Sequence, residues 1–182
     1  MSEKLIAVIS VIEGALHDQV KEFWEVLEQQ YGASEVRIFN SPTLTLAGGT
    51  ITDENLAILK ENFGRFGEKV RPFPIAVKEL GHIEKHSLYF KVENDNEVAA
   101  VNIMVNTFLG IFCKDLISDY TPENYRPHIA LAINDLSASS FDRAWFTFGE
   151  VRYQYEQLQH NLCLVQFEED GKLTLLEKAT LS

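Results

Sequence analysis

The chain has 182 residues, 46% of them hydrophobic and 11% aromatic, which supplies one ordinary globular core and is too apolar for a disordered chain. Its net charge of −11, from 16 Lys and Arg against 27 Asp and Glu, lacks the basic stripe that grips long duplex nucleic acid. A small phosphorylated ligand or nucleotide in a local pocket is compatible with that charge. The two cysteines, Cys113 and Cys163, each sit in an apolar run and are too few for a disulfide framework or a metal knuckle, so they read as buried free thiols.

Residues 5–12 (L-I-A-V-I-S-V-I) are almost continuously apolar, the pattern of a strand buried on both faces. The start, M-S-E-K-L-I-A-V-I-S, carries an acid and lacks a small-residue cleavage site, so it reads as a first strand and not as a signal peptide. Val20, Phe23, Trp24, Leu27 and Tyr31 follow at helical spacing, closed by Gly32. A short strand is expected at 36–39, then the phrase P-T-L-T-L-A at 42–47, with Gly48-Gly49 as a strand-to-helix turn. Thr52 is a good N-cap for a helix carrying Leu56, Leu59 and Phe63 and stopped at Gly64.

Strands are expected near 75–80 and at 87–92, where Leu88, Phe90 and Val92 alternate. Asn94 or Asp95 can cap a long buried helix with Val98, Val101, Val105, Phe108 and Phe112 on one stripe. This uncharged region, Val98 to Cys113, is too short to span a bilayer and is interrupted by Asn102, Asn106 and Thr107, so no membrane segment and a cytoplasmic location are expected. The phrase P-H-I-A-L-A follows at 127–132, then a short helix around Phe141–Trp145. Asp170-Gly171 makes a hairpin turn between 162–167 and 172–178.

The two phrases are the most informative feature. Leu5 to Thr43 spans 38 residues and Leu88 to His128 spans 40, each in the order strand, helix, motif strand. The repeat reads as an internal duplication of two α/β lobes. Period two puts Leu44 and Leu46 on one face and Thr43, Thr45 and Ala47 on the other. It likewise sets Ile129, Leu131 and Ile133 opposite His128, Ala130 and Ala132. The aliphatic faces suit packing beneath helices, and the small polar faces suit the floor of a groove between the lobes.

These phrases resemble the paired motifs of the two-histidine phosphoesterase superfamily, the 2′,5′ RNA ligase and cyclic phosphodiesterase group. There each lobe carries His-x-Thr/Ser on a strand, often after proline. The resemblance covers most of the chain and implies a single bilobal α+β domain over 1–182, with mainly antiparallel sheets around a central groove and motifs at 43–46 and 128–131. It implies a general base and a general acid histidine acting on a 2′,3′-cyclic or related phosphodiester, with Thr/Ser hydroxyls on the phosphate and neither metal nor cofactor. Carried over residue by residue, the second motif keeps His128 but has Ala130 at the hydroxyl position. The first keeps Thr45 but has Thr43 at the histidine position. A threonine hydroxyl titrates far above neutrality and cannot stand in for imidazole. The candidate residues are therefore His128, Thr45 and Thr43, in an impaired cyclic phosphodiesterase or a nucleotide-binding module. His82 and His86 replace the missing histidine only if their loop reaches the groove; Arg126 is a further candidate phosphate contact.

Overall fold

The computed structural model describes residues 3–93 and 95–182. Strand β1 (Glu3–Val11) leads into helix α1 (Gly14–Tyr31), which ends where Gly32 adopts the left-handed conformation, φ 78°. Strand β2 (Thr43–Thr52) runs into helix α2 (Asp53–Gly67), whose N-cap is the Thr52 hydroxyl accepting from Asn55 N. Strands β3 (Phe73–Ile83) and β4 (Ser87–Val92) form a hairpin. Helix α3 (Asn96–Leu109) follows, capped by Asp95, with the alternative cap Asn94 outside the described residues. Then come β5 (Asp115–Leu116), β6 (His128–Ala132), α4 (Ala138–Phe148), β7 (Tyr155–Gln159), β8 (Asn161–Phe167) and β9 (Leu173–Thr180).

The strands build two antiparallel sheets, ordered β5-β2-β1-β8-β9 and β6-β4-β3-β7. Each strand–helix–strand unit closes on itself, β1 pairing with β2 and β4 with β6. The helices, however, bridge to the other unit. From α1, Phe23 packs edge-on to Phe90 of β4 at 5.3 Å and Trp24 Nε1 donates to Ala130 O at 3.0 Å. From α3, the buried Asn102 donates to Leu46 O at 2.7 Å. Each helix covers an apolar sheet face that its own unit cannot cover alone, so one continuous core joins both sheets. Among the described residues no helix is long and apolar enough to cross a membrane.

Four local expectations are corrected. Residues 36–39 are not a strand: Glu35–Phe39 is a 3₁₀ turn, started by Asp135 Oδ2 accepting from Ser34 N and Glu35 N at 2.6 and 2.8 Å. A carboxylate from the other half of the chain sets that conformation. Gly48 and Gly49 lie inside β2, not in a turn. A Cβ on Gly49 would stand 2.5 Å from Asp115 O, and one on Gly48 would stand 2.9 Å from Ile6 O. Glycine is there because strands approach closely on both sides. Helix α2 runs past Gly64 to Gly67, while α3 stops at Leu109, short of Phe112.

Candidate functional site

The two phrases are held in matching registers. Ile12 N donates to Pro42 O at 2.9 Å, and Val92 N donates to Pro127 O at 3.1 Å. Thr43 faces Val11 and Thr45 faces Ile9 in one pair; His128 faces Lys91 and Ala130 faces Tyr89 in the other. In both, the fourth residue of the phrase after proline, Leu46 or Leu131, is the extra residue of a β-bulge. A bulge re-aims the side chains beyond it. That explains a departure from simple alternation: Ala47 and Ala132 turn into the core, while Ile133 turns towards the cleft.

β6 is the edge of its sheet, and β5 pairs only with Gly49 and Thr50 of β2, so the motif segments lie side by side with open edges. Side chains satisfy the carbonyls that no strand reaches. Trp24 Nε1 donates to Ala130 O at 3.0 Å, Tyr125 OH donates to Thr45 O at 3.0 Å, and Asn102 serves Leu46 O. Each group comes from the opposite half of the chain. The seam is thereby held open with these three carbonyls satisfied.

Over this seam lies a cleft of about 130 Å³. Thr43, Thr45, His128 and Ala130 line it, with Ser41, Tyr120 and an apolar wall that includes Ile9, Phe39 and Phe167. The His128 Nδ1 donates to Arg126 O at 2.7 Å; a carbonyl can only accept, so this nitrogen carries the proton. In the neutral ring this tautomer leaves a lone pair on Nε2, the form a general base requires. The Tyr89 ring packs 5.1 Å from the imidazole and limits its tilt. Tyr89 in turn lies over Gly81, where a Cβ would meet the ring at 2.4 Å.

Tyr120 enters the cleft from a single 3₁₀ turn, Ser118–Tyr120. Its carbonyl accepts from both Asn102 Nδ2 and Asn106 Nδ2 at 2.9 Å, and its ring lines the cleft together with Thr45. Burial pushes this phenol up from its ordinary value, partly opposed by the Thr45 side chain. The neighbouring Tyr125 is also pushed up by burial.

The other sequence candidates lie elsewhere. The His82 ring packs edge-on against Phe141 and Trp145 of α4, with Nδ1 on Glu84 O at 2.7 Å. His86 binds Glu84 Oε2 at 2.9 Å through Nε2. His82 lies near the end of β3 and His86 in the β3–β4 turn, at the end of β4 away from the residue that faces His128. The Arg126 guanidinium turns back to Tyr125 O at 3.0 Å and does not line the cleft. Among the described lining residues there is no Lys, Arg, Asp or Glu. Cys163 is buried and Cys113 half-buried, burial pushing the Cys113 thiol up to about 11. Neither thiol lines the cleft, and among the described residues no three His, Cys, Asp or Glu side chains gather as a metal site.

Residues 16–171 match the family model of the 2′-5′ RNA ligase superfamily. The chain belongs to that superfamily. The fold agrees: the structure of Escherichia coli LigT complexed with 3′-AMP aligns over 100% of this chain and 99% of that one, with TM-score 0.63 and 13% identity. The structure of TT0787 from Thermus thermophilus aligns over 97% of both chains, with TM-score 0.66 and 15% identity. Kluyveromyces marxianus Usb1 is more distant, covering 95% of this chain and 97% of that one at TM-score 0.52 and 10% identity. No curated protein sequence matches the chain. Within the superfamily, the seam between β2 and β6 is the part of this chain that carries the two phrases. Tyr120 was not visible as a candidate in the sequence, where S-D-Y-T-P reads as an ordinary turn.

Proposed function

We propose that the chain binds a 2′,3′-cyclic or related small phosphodiester in the β2–β6 cleft and hydrolyses it slowly, with His128 as its one surviving motif histidine. In this reading residues 1–182 work as one bilobal unit that arose by internal duplication. The observation that carries it is the matched register: Thr43 stands in β2 where His128 stands in β6, so the chain keeps the paired frame with one imidazole. His128 Nε2 takes a proton from the attacking water, and the Thr45 hydroxyl helps hold the phosphate. Loss of one member of an acid–base pair slows such chemistry by about 10²–10⁴-fold.

The apolar wall and the lack of cationic lining suit a ligand with one phosphate charge and a flat, uncharged remainder, such as a nucleoside cyclic phosphate. The same lining favours a second reading, a binding module with no turnover. Structures of E. coli LigT with ATP and with NADP+ have been solved. Such polyanionic ligands are expected to bind this cleft more weakly than a monoanion, because Glu168, Glu169 and Asp170 stand between the lining residues Phe167 and Leu173. Calorimetric titration with 2′,3′-cyclic AMP, with product followed in the same samples, tests both readings. Binding with slow release of a phosphomonoester that vanishes in His128→Ala supports the enzyme, and binding without product supports the module. Absence of binding by any small phosphodiester sinks both.

A further inference from the structure

We propose that Tyr120 is the second proton-transfer group of this cleft, donating its phenolic proton to the leaving oxygen of the phosphodiester while His128 takes a proton from the attacking water. The proposal rests on the reading of the cleft as a phosphodiester site and names what stands in for the missing histidine.

The argument is one of elimination and placement. Among the described lining residues, the groups that carry a transferable proton are His128, Tyr120, the hydroxyls of Ser41, Thr43 and Thr45, and the Trp24 N–H. Trp24 is committed to Ala130 O. Aliphatic hydroxyls titrate far above any working pH, whereas a phenol ordinarily titrates near about 10. Tyr120 is also the lining residue whose backbone is clamped by two buried asparagines, Asn102 and Asn106, reaching from α3 to its carbonyl. Helix interiors disfavour asparagine. Two of them, both turned to one carbonyl, make good sense if the ring beyond it must be held still. Tyr120 and Thr45 line the same small cleft, which sets the phenol near the hydroxyl that the phosphate reading already uses. A phenol is protonated at neutral pH, so the proton is there to give, although burial makes it harder to lose.

The step balances. A bond forms from water oxygen to phosphorus, and the bond from phosphorus to the 2′ or 3′ oxygen breaks. The proton lost by water goes to His128 Nε2, and the leaving oxygen receives the phenolic proton. The tyrosinate is then reprotonated by His128 through solvent, and the net change is addition of one water. Because efficient acids have a pKa near the working pH, a phenol performs this task less well than an imidazolium. The site is slow but not inert.

The test separates a proton donor from a merely structural tyrosine by the leaving group. Wild type, Tyr120→Phe and His128→Ala are assayed on 2′,3′-cyclic AMP, whose leaving alkoxide needs a proton, and on the p-nitrophenyl ester of thymidine 5′-phosphate, whose leaving group does not. Tyr120→Phe is expected to lose about 10²-fold on the cyclic substrate and less than about threefold on the aryl ester, while His128→Ala loses both. Equal losses on the two substrates would make Tyr120 a packing residue and overturn the proposal, as would no loss on either. Wild type that binds the cyclic nucleotide without turning it over also overturns it, yet leaves the cleft as a binding site; failure to bind removes the underlying reading too. Should Tyr120→Phe melt early, 3-fluorotyrosine at position 120 keeps the shape and strengthens the acid. The alkaline limb of the rate profile on the cyclic substrate should then move to lower pH, and an unmoved limb counts against the proposal.

Discussion

Rebuilding both motifs on their own strands is the most direct perturbation, through Thr43→His combined with Ala130→Thr. Both positions line the cleft and are half-buried, so the new side chains enter open space and leave the aliphatic faces of β2 and β6 untouched. The register supplies a partner for the new imidazole. Arg126 O, which holds His128 Nδ1, lies two residues before His128, and Ser41 O occupies the same place before Thr43. A carbonyl there selects the Nδ1–H tautomer and leaves Nε2 to the ligand. The gain follows from acid strength: histidine titrates near about 6.5 and tyrosine near about 10, so an imidazolium at pH 7 is far better matched to proton transfer than a phenol. A rise of about 10²-fold in kcat for a 2′,3′-cyclic nucleotide is expected, equal to about 2.7 kcal/mol of barrier. The assay is product formation across pH 5 to 10, with the two single variants completing a cycle. The repaired protein should show a bell-shaped profile with both limbs near neutrality, and adding His128→Ala should abolish the gain. A wild type already as fast as the double variant would refute the view that position 43 limits the chemistry. A folded double variant without added activity would show that the cleft has lost more than two side chains.

Asn102→Ala leaves the bulge carbonyl of Leu46 without its donor in a buried seam, at a cost of about 1–3 kcal/mol in urea denaturation; a change under about 0.5 would mean water replaces the amide. Gly49→Ala drives a Cβ into Asp115 O and should destabilise by about 1–3 kcal/mol, with faster amide exchange in β5; unchanged exchange there would show that β5 moves aside freely. Raised pKa values predict alkaline destabilisation. Above pH 9 the unfolded chain loses the Cys113 proton and above 10 those of Tyr120, Tyr125 and Tyr153, while burial keeps these groups protonated in the fold. Stability present below pH 9 is therefore lost progressively above it, through about 11 for Cys113, and a urea midpoint that stays flat from pH 9 to 11 would contradict this. Binding of single-stranded RNA longer than a few nucleotides should be weak, with a shallow slope of log affinity against log salt; a steep slope would reveal a cationic track along the groove.

The sequence by itself carried the repeat. P-T-L-T-L-A and P-H-I-A-L-A mark two strands because proline, β-branched residues and alternation are local signals, and helix ends at Gly32, Thr52 and Asp95 are local for the same reason. Which residues stand at the matching positions of the two phrases, Thr43 and Thr45 in one and His128 and Ala130 in the other, is also plain text. Tertiary structure decided whatever depends on a partner distant in sequence. The 3₁₀ turn at Glu35–Phe39 is set by Asp135, and the strand character of Gly48-Gly49 by β1 and β5. The bulges at Leu46 and Leu131 arise from pairing with β1 and β4, which no single-strand alternation can foresee. Tyr120 joins the cleft only because Asn102 and Asn106 of α3 hold its carbonyl, and His128 presents Nε2 only because Arg126 O takes Nδ1–H. A side chain's identity is written in the chain, but its direction, tautomer and neighbours are set by hydrogen bonds that exist only once both sheets have closed on their helices.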